Sequence, residues 1–187
     1  MKGVNMNSKT KVLRLAIAGL LCAVGIVIPM FSPIKILLEP ASFTLASHVA
    51  IFIAMFISPS IAAIVAIGTT VGFFLGGFPI VIVARAATHV VFAVVGAFIL
   101  KKRPGILDSL KSSQLFSFGI GVLHGLCEVI AVTPFYLNNL MAPGFYSKGY
   151  LLSVVLLVGV GSLVHSMVDF AIAQIIWRPL KKTIKPL

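Results

Sequence analysis

The chain has 187 residues, of which 59% are hydrophobic and only 10% charged, and its net charge is +11. A soluble domain carries about 25% charged residues, so this composition excludes a soluble globular domain and assigns the whole chain to a bilayer. The basic residues cluster at the ends of apolar stretches, where topology and anionic lipid head groups account for them, and nucleic acid is not an expected partner.

A helix needs about 20 apolar residues to span the hydrocarbon core. Six such stretches are predicted, filling a single membrane domain over 1–187. The first, 12–28, stops at Pro29. A basic start followed by an apolar run resembles a signal peptide, but no polar cleavage region follows and five further spans do, so it is read as the first helix. The second, 41–57, is bracketed by Pro40 and Pro59. The third, 60–75, ends at Gly76-Gly77, and the fourth, 79–100, carries proline in its first turn. The fifth, 113–132, ends before Pro134. The sixth, 149–177, is longer than a span needs and stops before Pro179. Cys22 and Cys127 fall inside apolar stretches and read as small packing residues.

Charge sets the expected orientation. Lys2, Lys9, Lys11 and Arg14 precede the first span. Lys101, Lys102, Arg103 and Lys111 join the fourth to the fifth, and Arg178, Lys181, Lys182 and Lys185 follow the sixth. With six spans these segments share one side and hold 12 of the 15 Lys and Arg residues. The other side has only Lys35 and Lys148. The positive-inside rule then puts both termini in the cytoplasm and the connections 29–40, 76–79 and 133–148 outside. The first and last of these are rich in Pro, Gly, Asn and aromatics, and loops of this kind on a rigid scaffold commonly carry binding.

Ionisable residues inside spans are costly and mark candidate sites. They are His48, Arg85, His89, His124, Glu128, His165 and Asp169. Arg85/His89, His124/Glu128 and His165/Asp169 are i,i+4 pairs, each on one helix face. At about 1.5 Å rise per residue, His48, Arg85, His89, His124 and Glu128 fall at depths that can line one outward-facing cavity. His165 falls near the midplane with His89 and His124, and Asp169 in the inner half; the two read as a structural polar pair, a packing lock below the cavity. Two plainer readings stay open: Arg85 and Glu128 can simply neutralise each other, and each histidine can serve as an interhelical hydrogen-bonding residue. No histidine pair has i,i+4 spacing, so no metal site is expected. No GxxxxGK[ST] phosphate loop and no nucleophile paired with a base occurs, so no enzyme, catalytic residue or cofactor is expected. On the first span, Gly19 and Ala23 form a small-xxx-small pair, as do Ala18 and Cys22. Such a face either packs inside the bundle or receives a partner helix.

The layout resembles the substrate-binding S component of energy-coupling factor vitamin transporters: six short spans, cytoplasmic termini, a small-residue first helix and long outer loops. The stretch Pro40-Ala41-Ser42-Phe43-Thr44-Leu45-Ala46-Ser47-His48, with Ser58-Pro59 after it, resembles the niacin-type branch. The resemblance implies capture of a small vitamin outside a bacterial cytoplasmic membrane. It implies delivery through a complex of one transmembrane coupling (T) protein and two ABC-type ATPases, whose hydrolysis tips or releases this subunit. It also implies docking of the coupling protein on the first helix, at Gly19 and Ala23, where the family's motif is Ala-xxx-Ala and Gly19 departs from it. Arg85 suits a carboxylated vitamin such as niacin, and pantothenate meets the same argument. A pyridoxine or hydroxymethylpyrimidine ligand would use the histidines and Glu128. The alternatives are a stand-alone proton-coupled or metal transporter, which lacks support from any inverted repeat, and a scaffold without ligand.

Overall fold

The computed structural model describes residues 8–38 and 41–183, so the parts of the charge pattern and helix boundary that fall on Lys2, Pro40 and Lys185 lie outside the described residues. In chain order the elements are α1 (Ser8–Phe31), the strands β1 (Lys35–Leu38) and β2 (Ala41–Thr44), α2 (Val49–Ile57), α3 (Pro59–Leu75), α4 (Ile80–Lys102) and α5 (Leu110–Leu137). A π-helical stretch, Leu151–Val160, then runs straight into α6 (Gly161–Thr183).

Among the described residues four segments are long and apolar enough to cross a bilayer: α1, α4, α5 and the continuous run Leu151–Lys182. α3 is a shorter apolar helix of 17 residues. The chain is therefore a multi-pass, all-α membrane protein with one small hairpin.

α2 is the centre of the bundle. It packs against α1, α3, α4 and α6, and every residue from Val49 to Met55 is buried. A helix that is apolar on all sides has no polar face to present and is stable only when surrounded. Below its N-terminus a phenylalanine core forms, with Phe52 5.6 Å from Phe92 and 5.3 Å from Phe170 between ring centroids.

Several predicted boundaries are corrected. The largest concerns α2, which begins at Val49 rather than at Ala41. Residues 41–44 instead pair antiparallel with 35–38, Lys35 opposite Thr44 and Ile36 opposite Phe43. The turn into α2 passes through Ala46 at φ 68°, a left-handed conformation that a helix cannot continue through. With nine residues α2 rises only about 14 Å, less than half of the roughly 30 Å core. The prolines expected to stop helices do not: Pro29, Pro134 and Pro179 all lie inside the last turns of α1, α5 and α6. One lost N–H bond near a helix end is tolerated where neighbouring segments take up the freed carbonyl. The sixth segment starts as a π-helix, which the apolar pattern does not reveal.

Close backbone approach sets the α5–α6 side. A Cβ on Gly125 would sit 2.5 Å from the Gly159 carbonyl oxygen, so only glycine allows this crossing. That approach brings Glu128, one turn along α5, to the start of α6.

α1 settles against α3 and α2 through Ala18, Leu21 and Gly25, which are buried, while the Cys22 thiol faces the Ile64 carbonyl at 3.8 Å. Gly19 and Ala23 are exposed on the opposite face, and an added Cβ at Gly19 would meet no atom within 4 Å. The two small-residue pairs of α1 thus divide, one inward and one outward.

Candidate functional site

A cavity of about 190 Å³ opens at the end of the bundle remote from the basic residues of 101–111 and 178–182. Its wall includes Pro29 of α1, Phe43, Thr44 and Ser47 of the entry to α2, Phe73 and Phe78, Arg85 and His89 of α4, Glu128 of α5 and His165 of α6. His48 closes the centre.

All four histidines of the chain converge here, one from each of four segments. His48 is the hub: its ring centroid lies 4.7 Å from His89, 4.8 Å from His124 and 4.9 Å from His165, each edge to face. His89 and His124 are 4.9 Å apart. Phe92 lies beneath, 4.6 Å from His124.

Two carboxylates flank the cluster. Glu128 is buried and accepts from the Arg85 guanidinium, Nη2 to Oε2 2.8 Å. The same oxygen accepts a short hydrogen bond from Ser162. Its Oε1 lies 3.4 Å from His89 Nε2 and 3.4 Å from His124 Nε2. The His124 approach is misaligned, and neither ring nitrogen of this fully buried residue has a hydrogen-bond partner among the described residues. Among the same residues Arg85 keeps a buried Nε–H without an acceptor. An unmade bond to a buried charged group is costly, so a donor left this way is poised for an anionic acceptor.

Asp169 serves the backbone. It accepts the Ala46 N–H at 2.7 Å and the His48 N–H at 2.8 Å, and receives His48 Nδ1 at 3.1 Å. The first turn of α2 has no side-chain cap of its own. A carboxylate from α6 fills that place, next to the positive end of the helix dipole. It also holds Ala46 in its left-handed conformation. Irregular backbone at membrane depth survives only when its polar groups are satisfied by protein, and Asp169 does this for the turn 44–48. Ser47 Oγ completes the contact at 3.0 Å from His165 Nε2.

Of the predicted residues, the structure brings His48, Arg85, His89 and Glu128 to the cavity wall. His124 stands behind them, fully buried. His165 and Asp169 do lie together, Nε2 to Oδ2 3.4 Å, and Asp169 holds the turn before α2; the placement below the cavity is corrected for His165, which is part of the wall. The cause is the late start of α2, which lets residues 44–48 descend to the level of His165. Sequence reasoning missed Ser162, Ser47, Phe43 and Phe78. Ser162 shares the spacing i, i+3, i+7 with His165 and Asp169, and that polar stripe is visible in the sequence. The connection 133–148 contributes no residue to the cavity wall. Its own contacts are internal: Tyr146 accepts from the Met141 N–H at 2.9 Å, and Tyr150, just beyond it, bonds Thr133 at 2.8 Å.

The chain is 42% identical over 172 residues to a niacin transporter, NiaX, of Lactococcus lactis subsp. cremoris (strain MG1363), and the match covers 91% of this chain and 75% of that protein. No family model matches the chain. No solved structure matches it.

Proposed function

This chain belongs to the niacin-transporter family, the niacin-type S components of energy-coupling factor transporters, and on that premise we propose that it captures niacin outside the cell for ATP-driven delivery inward. The observation that carries the substrate is Arg85. Its guanidinium forms one wall of a small cavity, is bonded to Glu128, and retains a buried N–H with no acceptor. A monocarboxylate can accept from that N–H and from a neighbouring guanidinium N–H side by side. Glu128 is the internal partner of Arg85 when no cargo is bound, and it keeps Ser162 when the cargo arrives.

The rest of the wall suits a flat ring. Phe73 and Phe78 stack with centroids 4.6 Å apart and an interplanar angle of 18°, giving an aromatic face. At about 190 Å³ the cavity is below the roughly 300–1,000 Å³ of sites for drug-sized ligands. That favours a single substituted ring over the longer, flexible pantothenate.

In this reading the chain crosses the membrane six times with both termini cytoplasmic, α2 and its non-helical entry together making the second crossing. The coupling protein docks on the exposed Gly19/Ala23 face of α1, and its two ATPases supply the energy. The outward exposure of that face supports the assignment.

Uptake of labelled niacin into vesicles, with and without the coupling protein and ATPases, tests the whole reading. ATP-dependent uptake only with the full complex is expected. Uptake by this chain alone, driven by a proton gradient, would mean a stand-alone carrier.

A further inference from the structure

We propose that His48, His89 and His124 form a site for one divalent transition-metal ion of the zinc and cobalt class at the floor of the cavity. The ligating atoms of these three residues all lie within 4.8 Å of one another, and all three side chains are buried. Three imidazoles at zinc–nitrogen distances of about 2.0–2.1 Å place their nitrogens roughly 3.3 Å apart in a tetrahedral site, so closure needs shifts of about 1 Å by side-chain rotation. Imidazole suits zinc, cobalt and nickel, and three such ligands leave a fourth position open to a donor from the cavity.

Independent observations point the same way. His124 is fully buried with both ring nitrogens lacking a hydrogen-bond partner, a costly state that a metal bond relieves. His48 gives its Nδ1 to Asp169 at 3.1 Å, which leaves Nε2 for a ligand. A carboxylate behind a histidine is the usual outer support of a metal-bound imidazole. Glu128 stands in the same relation to His89 at 3.4 Å. A second set with atoms as close, His48, His165 and Asp169, is less suited. There the carboxylate is committed to the α2 backbone and His165 to Ser47.

Charge adds a further argument, which rests on the vitamin reading. Arg85 balances one of the two buried carboxylates, so with neutral histidines the cluster carries one negative charge. An anionic cargo alone would raise that to two in a low-dielectric site. A divalent ion together with a monocarboxylate leaves the cluster neutral. Cargo and ion should then favour each other, and by the same factor in both directions.

The test uses tag-free full-length protein in lipid nanodiscs, stripped with chelator and titrated with Co²⁺, followed by elemental analysis and visible absorption. One equivalent with the intense absorption of tetrahedral cobalt is expected. His124→Phe should abolish it, and His89→Phe serves if that variant fails to fold. His165→Phe should retain it. Asp169→Asn should weaken it about 10- to 100-fold. No stoichiometric uptake by wild type, or uptake unchanged in both His124→Phe and His89→Phe, overturns the site. Nicotinate titrations of stripped and loaded protein separate the two readings. Loaded protein should bind nicotinate about tenfold tighter. Undiminished nicotinate binding with no cobalt uptake removes the metal and leaves the vitamin. Cobalt uptake through His124 with no nicotinate binding removes the vitamin and leaves the metal.

Discussion

Asp169 on α6 caps α2 through the backbone N–H of His48, a contact that spans 121 residues of sequence at 2.8 Å. The same carboxylate holds the Ala46 N–H, so one side chain fixes both the turn and the helix start. Asp169→Asn keeps the shape and removes the charge. Hydrogen bonds to charged groups contribute about 1.5–3 kcal/mol, and the variant should lose stability in that range. Thermal unfolding in detergent and limited proteolysis within 41–48 read this out. Unchanged melting with unchanged protease resistance would show that the turn is held by other means.

Arg85 is the second test. Arg85→Lys retains the charge and loses the planar fork, so nicotinate affinity should fall by at least about tenfold, equivalent to about 1.4 kcal/mol. Arg85→Gln should do more, because Glu128 is then left buried without its cation. Nicotinamide, which carries no carboxylate, should lose much less. Calorimetry with both ligands decides it, and equal losses for acid and amide would remove Arg85 from the carboxylate subsite.

Helix α1 offers a paired experiment. Gly19→Leu and Ala23→Leu add bulk to an exposed face, and the space beside Gly19 is open. Both should block assembly with the coupling protein while nicotinate binding stays within a factor of about two. Gly25→Leu is the contrast, because a Cβ there would already lie 2.5 Å from the Thr69 methyl. That variant should lose fold and binding together. Pull-down of the complex and ligand titration on the same preparations separate the cases. Loss of binding in Gly19→Leu would point to an internal role for that face.

Topology is checked by single cysteines in a background with Cys22 and Cys127 replaced. Lys102→Cys should label only after permeabilisation, and Lys148→Cys in intact cells. The prediction follows from the 12 basic residues assigned to one side among 15 in the chain. Ready labelling of position 102 from outside would invert the orientation.

Much of the site was legible because intramembrane charge is rare. Each i,i+4 pair announced a helix face, and depth counting put Arg85, His89 and Glu128 together. The position of His165 was not legible, since it depends on where α2 starts. That start is decided by a strand pairing and by an aspartate more than 120 residues away, neither of which leaves a local signal. Of the four histidines, depth counting grouped His48, His89 and His124; that His165 joins them is tertiary, and its own helix carries no sign of it. The helix ends at Pro29, Pro134 and Pro179 failed for a different reason. In a membrane bundle a proline's missing N–H is absorbed by neighbours, so the breaker rule weakens.

The floor of the cavity has a wider consequence. From the residue before α2 to its end, His48 faces the cavity, Phe52 is wholly buried in the phenylalanine core, and Phe56 borders a second hollow lined by Arg14, Trp177 and Lys181 at the basic end. Between the two hollows stand Phe52, Phe92 and Phe170, packed ring against ring. The molecule is a cup with a solid base, not a pipe. What enters at the mouth leaves by the mouth, or after α2 has been pulled from its seat. A cargo held in the cup therefore crosses the bilayer only if the packing of Phe52, Phe92 and Phe170 opens or the bundle as a whole reorients.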